Sequence, residues 1–312
     1  MTVNKSPTKL TPADFEKTFA EKLSPYVRNK IRKYNFRYRK ITNRERDGLI
    51  KRNFIELFDE TIIRAGSHRR PQWEKGWGEN LNIFSKVAME NNLTPKYFGK
   101  HNCIRWNQGF IIPISKNFEA NSLALIQNWL FDKYLREIQT AYEFGCGTGI
   151  NLLRLQEVNQ KAVLWGLDWV KSSQKLINQI RKVSGSNIHG YNFDFFKPDY
   201  SFKLDKNGAV ITISALEQIG TEFNNFVNYL LKNEPKICIH IEPIYELLDE
   251  NNLMDFLSIK YIQKRNYLWG FLDHLRKLES KGKIKIIKAQ RTYIGSLFVD
   301  GYSVIVWKPV LK

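Results

Sequence analysis

Between residues 140 and 242, five short runs rich in β-branched and aromatic residues alternate with stretches of helical periodicity. They are TAYEFG (140–145), AVLWGLD (162–168), IHGYNFD (188–194), AVITIS (209–214) and KICIHIE (236–242). Strands alternating with helices make βαβ units, which predicts a parallel sheet with helices on both faces. Two further runs, KIKIIKAQRTY and GYSVIVWKP, flank IGSLFVDG and predict a closing antiparallel hairpin. The expected fold class is α/β, a doubly wound and mostly parallel seven-stranded sheet over residues 139–312.

Residues 1–138 have a different rhythm and are expected to form a mainly helical accessory domain, a lid over the substrate. Thr11 before Pro12 and Ser24 before Pro25 are N-cap and first-turn signals for two helices. A third helix is expected over 44–65, where Leu49, Ile50, Phe54, Leu57, Phe58 and Ile62 recur at helical spacing and Gly66 follows. SHRRPQWEKGWGENLNIF reads as a loop rich in Trp and charge, TPKYFGKHNCIRWNQGFIIP as a hinge, and 118–138 as a helix leading into the sheet.

The formal net charge is +18, and residues 1–140 hold 26 Lys and Arg against 14 acids. Twelve basic side chains and two acids fall between 22 and 52, around RNKIRKYNFRYRK, where Tyr34, Phe36 and Tyr38 interleave with the charges. Basic charge with aromatics suits nucleic acid, but a charge run more commonly marks a solvated face, its aromatics turned into the core. Three cysteines, odd in number and without CxxC spacing, read as reduced thiols and argue against a disulfide framework or structural zinc; no metal is expected. No apolar run is long enough to span a bilayer and the N-terminus lacks a leader-like apolar region, so a cytoplasmic protein is expected.

The segment AYEFGCGTGI (141–150) ends the first strand with Glu143 and then places Gly145, Gly147 and Gly149 at alternate positions. In an open parallel sheet, ligands bind beyond the carboxyl ends of the strands, where strand order reverses. Glycines there let a ligand approach bare backbone while the following helix offers free amides. Position 150 is Ile, so the GxGxxG dinucleotide fingerprint is not met.

The spacing acid-x-Gly-x-Gly-x-Gly resembles motif I of the class I S-adenosylmethionine-dependent methyltransferases, and later strand tips extend the resemblance over 140–312. It implies a Rossmann-like methyltransferase fold with S-adenosylmethionine as cofactor. Glu143, Gly145, Cys146, Gly147 and Gly149 would form the cofactor turn. Asp168 would accept the ribose hydroxyls, and Asp194 would meet the adenine amino group. Trp169, Phe195 and Ser214 would complete the cofactor site. Asp168 as a helix cap and Asp194 as an Asx turn are the alternatives. ISALEQIG matches the family's segment after strand four, with Glu217 and Gln218 where Glu-His is frequent.

Three side chains are candidate general bases: Glu217, Glu242 and His240, the last two on one face of the same strand. His240 reads more readily as a hydrogen-bonded core histidine. Trp73, Trp77, Arg105, Trp106 and Tyr245 are candidate acceptor contacts, the tryptophans being alternatively a seam between domains. The NPPY tetrapeptide of amino-methylating enzymes is absent, so the small-molecule and biosynthetic branch is favoured, with a saccharide or peptide acceptor methylated on O or N. The alternatives are an RNA methyltransferase using the basic front domain and an inactive cofactor-binding regulator.

Overall fold

The computed structural model describes residues 7–310; residues 1–6, on which the leader-free reading partly rests, lie outside the described residues. The front half runs β1 (Thr8–Lys9), α1 (Pro12–Phe19), α2 (Pro25–Lys33), β2 (Arg37–Lys40), α3 (Asn43–Phe58), α4 (Arg70–Lys86), β3 (Ile104–Trp106), β4 (Gly109–Pro113) and α5 (Phe118–Tyr134). The back half begins with β5 (Thr140–Phe144), α6 (Ile150–Val158), β6 (Val163–Asp168), α7 (Lys171–Ser184), β7 (Ile188–Asn192) and β8 (Ala209–Ile213). It ends with α8 (Asn224–Asn233), β9 (Ile237–Glu242), α9 (Leu253–Arg265), α10 (Phe271–Ser280), β10 (Ile284–Gln290), β11 (Ile294–Gly295) and β12 (Ser303–Pro309).

The back sheet has seven strands in the order β10-β12-β9-β8-β5-β6-β7, as its class was expected to. β5 pairs in parallel with both β6 and β8, so strand order reverses at the tip of β5, next to the glycine turn. β12 lies between β9 and β10 and runs antiparallel to both. Leu152 and Leu155 of α6 and Leu176, Ile177 and Ile180 of α7 pack on one face of the sheet, against Ala141, Ile211 and Ile239. On the other face Phe226 and Tyr229 of α8 and Leu272 and Leu275 of α10 meet Phe144, Val210 and Trp307. Strands buried on both faces explain why their sequences are continuous apolar runs.

The front half departs from its expected plan at three places. The stretch read as a loop is the 17-residue helix α4. Pro71 sits in its first turn, and its two glycines, Gly76 and Gly78, face open space while the helix packs along α7. Tertiary packing there outweighs a glycine penalty of about 1 kcal/mol each. The expected helix over 44–65 stops at Phe58, because Asp59 leaves the helix and its carboxylate accepts the N–H and hydroxyl of Thr61 (2.8 and 2.7 Å), an Asx turn. The supposed hinge contains the β3–β4 hairpin, turned by Asn107 and Gln108, both at positive φ (49° and 62°). That is the I′ geometry without its usual Asn-Gly signature.

β3 and β4 belong to a five-stranded antiparallel sheet, β1-β2-β4-β3-β11, whose last strand comes from the segment expected to be only the closing hairpin's loop. The front sheet is thereby sewn to the back half. The basic stretch follows the solvated-face expectation in its aromatics: Phe36 is fully buried and Tyr34 and Tyr38 half-buried against the core. Several of its cations are paired, Arg28 with Glu16, Lys30 with Glu157 and Arg39 with Glu45. Among the described residues no helix is long and apolar enough to cross a membrane.

Candidate active site

Gly145, Gly147 and Gly149 all adopt the left-handed backbone, at φ of 74°, 53° and 79°. Their bareness is also steric. A Cβ on Gly145 would lie 2.4 Å from Cβ of Ala215, and one on Gly149 would lie 2.5 Å from Ile177. The turn is anchored to the neighbouring strand, since the N–H groups of Gly145 and Cys146 donate to Leu167 O (2.7 and 3.1 Å). Cys146 itself points into the core, and burial lifts its thiol well above the usual range.

Glu143, the last polar residue of β5, is buried, and its Oε1 accepts from Asn151 Nδ2 (2.6 Å). Asn151 is fixed in turn by Gln127 (2.9 Å) and Arg154 (3.0 Å). The second oxygen, Oε2, is buried with no partner among the described residues, as is the hydroxyl of Thr148 in the turn. Burial pushes the Glu143 carboxyl up to about 8 against the opposing hydrogen bond from Asn151. A buried acceptor left bare costs about 1–3 kcal/mol, so this oxygen is suited to a donor, best a cationic one, brought to the turn.

Asp168 ends β6. Its Oδ2 accepts from Gly147 N (2.9 Å) and its Oδ1 from Val170 N (3.2 Å), and burial raises it to about 6 against those bonds. Each oxygen keeps a lone pair. Trp169, next in sequence, stacks on Phe196 (5.9 Å, 28°). Asp194 accepts from Phe196 N (2.9 Å) in an Asx turn, and the Phe195 ring comes within 3.5 Å of where a Gly145 Cβ would be. Acids, an aromatic pair and the glycine turn are thus gathered at three adjacent strand tips.

Helix α4 crosses above them. The Glu74 carboxylate accepts the N–H groups of Lys171 (2.7 Å) and Ser172 (3.0 Å), capping α7, whose own N-cap, Val170, has no acceptor side chain. Trp77 lies against the glycine turn, its Cζ2 2.9 Å from the Cβ position of Gly147. Trp73 stacks on Trp77 (5.4 Å) under the Arg69 guanidinium (5.0 Å), and its indole N–H is buried without an acceptor among the described residues. Arg69, Trp73 and Trp77 are four residues apart, a helical signal that Pro71 and the two glycines obscured in the sequence.

Beyond β8 the chain turns sharply, with Ser214 at φ 49°. Glu242 organises this turn: Oε1 accepts the N–H groups of Ala215 (3.0 Å) and Leu216 (3.1 Å), and Oε2 that of Glu217 (3.3 Å). Burial, then the nearby Glu217, raises Glu242 to about 8. Glu217 is half-buried, accepts from Gln218 Nε2 (2.7 Å), and is raised to about 7 by burial, with Gln218, Arg265 and Arg69 opposing. His240 sits in the core between Thr212 Oγ1 (2.8 Å) and the Trp307 indole N–H (2.8 Å). Burial depresses it to about 3, so it stays neutral.

Two of the expected acceptor contacts, Arg105 and Trp106, lie apart from this cluster. All five Arg105 N–H groups are taken, by the carbonyls of Leu297, Met254 and Phe298 and by Ser258 and Asn53, so the buried guanidinium has none left for a ligand. Trp106 packs edge-on against Phe15 in the front sheet (5.2 Å). Tyr245, by contrast, packs against Ala65, Ile262 and Tyr267 beside α9, and its hydroxyl accepts from Gln263 Nε2 (3.4 Å). Near Glu217 the fold also brings titratable side chains that the sequence did not single out. Tyr97 is 42% exposed, yet surrounding protein, then the carboxylates of Glu217 and Glu119, raise its hydroxyl above the usual range. Glu119 accepts from the Tyr302 hydroxyl (3.0 Å) and is raised to about 7 by burial.

Neither a protein-family profile nor a curated protein sequence matches this chain. Among solved structures, an O-methyltransferase of neocarzinostatin biosynthesis aligns at TM-score 0.44 and 11% identity, over 77% of this chain and 70% of its own. Magnesium protoporphyrin IX methyltransferase from Synechocystis aligns at TM-score 0.45 and 16% identity, over 61% and 82%. Human N-acetylserotonin methyltransferase aligns at TM-score 0.41 and 13% identity, over 86% and 67%. Scores this low leave the assignment to the chain's own residues.

Proposed function

We propose that this chain is an S-adenosylmethionine-dependent methyltransferase that methylates an oxygen or nitrogen of a small biosynthetic acceptor. The observation that carries the proposal is the left-handed glycine turn beside a buried carboxylate with one bare oxygen, flanked by acids at the next two strand tips. The residues fit the cofactor. The left-handed glycines let Ala215, Trp77 and Ile177 close on the turn and fix its shape, Glu143 Oε2 offers an acceptor to an ammonium group, Asp168 retains lone pairs for vicinal hydroxyls, and Trp169 and Phe196 give an aromatic wall for a purine.

The bound cofactor would supply a methyl group on a sulfonium, an electrophile that needs no further activation. The work left to the protein is alignment and exclusion of water. Trp77 and Trp73 would cover the turn and keep water out, with Glu74 holding α4 in place on α7. Where the acceptor is a hydroxyl or an amide, its proton must leave. Of the three candidate bases, Glu217 is best suited, being half-exposed and poised at about 7, near the operating pH where a general base is most effective. His240 has both nitrogens engaged in the core, and Glu242 is committed to three amides. Burial of Phe36 weakens the RNA alternative, because a buried ring cannot stack on a base.

Calorimetric titration with S-adenosylhomocysteine tests the cofactor assignment. Wild type should bind, and Asp168→Ala should bind at least about tenfold more weakly, the loss of two hydrogen bonds to a charged group. Equal affinity in the variant would show the nucleoside to sit elsewhere.

A further inference from the structure

Buried and half-buried arginines of this protein fall into two kinds. Arg291 makes ion pairs with Asp255 (2.6 Å) and Asp300 (2.5 Å), and Arg105 is saturated by oxygen acceptors. Arg69 and Arg265 differ. Among the described residues neither meets a carboxylate within ion-pair reach. Arg69 is 6% exposed, and its hydrogen-bond partners are the neutral amides of Gln72 (3.1 Å) and Gln218. Arg265 donates to the Tyr267 hydroxyl (3.0 Å), and its Nε is buried with no acceptor.

Both cations border the turn that follows β8. Arg69 reaches Gln218, which donates to Glu217. Ala65 N, close to Arg69 in the chain, donates to Arg265 O (2.7 Å), and Asn266 packs against Gly220, 2.8 Å from its Cβ position. Ala215 of the same turn touches Gly145. Both guanidiniums lie close enough to Glu217 to oppose the rise of its carboxyl, so the two cations flank the turn after β8. Burial, and after it the proximity of Arg265, hold Arg69 below its usual range against Tyr267 and Glu217, while, against burial, Tyr267, Tyr261 and Glu217 hold Arg265 above it. Keeping a charge buried and unpaired is costly unless an anion completes it.

We propose that Arg69 and Arg265 form a receptor for an anionic oxygen group, carboxylate or phosphoryl, carried by the methyl acceptor. The proposal rests on the methyltransferase reading and narrows its substrate class to acidic acceptors. Arg69 would present its remaining Nη2 and Arg265 its bare Nε, while Tyr267 keeps Arg265 oriented. Glu217, poised beside them, leaves the recess net positive.

The test uses the full chain saturated with S-adenosylhomocysteine and titrated with inorganic phosphate or with benzoate, read by tryptophan fluorescence because Arg69 lies over Trp73. At least one probe should bind saturably, with Kd on the order of millimolar. Arg265→Gln should weaken that binding roughly tenfold or more while leaving nucleoside affinity unchanged. Arg69→Gln should do the same, and the half-exposed Arg265 variant carries the test if the buried one fails to fold. A benzoate response identifies a carboxylate and a phosphate response a phosphoryl group. Saturable nucleoside binding without anion binding, or anion binding equal in wild type and Arg265→Gln, overturns the receptor alone. Absence of nucleoside binding in the wild type overturns the methyltransferase reading and the receptor with it.

Discussion

Glu143 at the tip of β5 and Glu242 at the tip of β9 are alike in most respects that a sequence or a pKa can express. Each lies at the end of an apolar strand or one residue before it, each is buried, and burial raises each to about 8. They differ in their remaining hydrogen-bond capacity. Glu242 accepts three backbone amides and so builds the turn after β8, whereas Glu143 has one oxygen satisfied and one bare. A perturbed acid is thus no sufficient mark of a functional one; the unpaired lone pair is the better guide. Glu217 is the third case, with side-chain oxygen available and a position beside the turn that Glu242 holds.

Substitutions that keep shape and remove charge sharpen this contrast. The largest effect is expected from Glu217→Gln, which should lower turnover about 100- to 10,000-fold if the carboxylate takes the acceptor's proton, with S-adenosylhomocysteine affinity and thermal midpoint retained. Turnover within a few-fold of wild type would remove Glu217 from the chemistry. Glu242→Gln should act on stability instead. Its amide nitrogen would face a backbone N–H, at a cost of about 1–3 kcal/mol in urea denaturation. A stable Glu242→Gln with abolished turnover would reverse the roles assigned to these two residues.

Glu143→Gln should weaken S-adenosylhomocysteine binding roughly tenfold by calorimetry, since a charge-assisted contact becomes a neutral one. Folding stability should hold or rise, because a buried amide is desolvated more cheaply than a carboxylate. The smallest effect is on pH dependence. A carboxyl at about 8 when folded, against an ordinary 4.5, keeps its proton in the native state after the unfolded chain has lost it. Its stabilising contribution is full below about 4.5 and is lost as pH rises toward about 8, so the thermal midpoint should fall across that window. Glu143→Gln should flatten the slope, and an unchanged slope would show that Glu143 is already ionised in the free protein.

The back half was legible because strands buried on both faces must be apolar throughout and must end where glycine or an acid marks the tip. Runs placed at 140–145, 162–168 and 236–242 correspond to β5, β6 and β9 within a residue or two at each end. In the front half, helix α4 and the β3–β4 hairpin were missed. Their local signals run against them, two glycines inside a helix and an Asn-Gln pair in an I′ turn, and contacts from elsewhere in the chain overcome those signals. The site shows the same division. Glu143, Asp168 and the glycines were singled out by their spacing and the resemblance it carries, while Arg69 and Arg265, proposed as an anion receptor, carry no local mark that distinguishes them from the other arginines.

Sequence alone determined the doubly wound sheet and the tips on which a ligand would rest, because strand periodicity and left-handed glycine positions are local properties. Which carboxylate keeps a bare oxygen, which arginines go without a counter-charge and which tryptophan covers the turn were decided only in three dimensions. Those properties depend on which groups from distant segments come within hydrogen-bond reach, and spacing along the chain does not encode that.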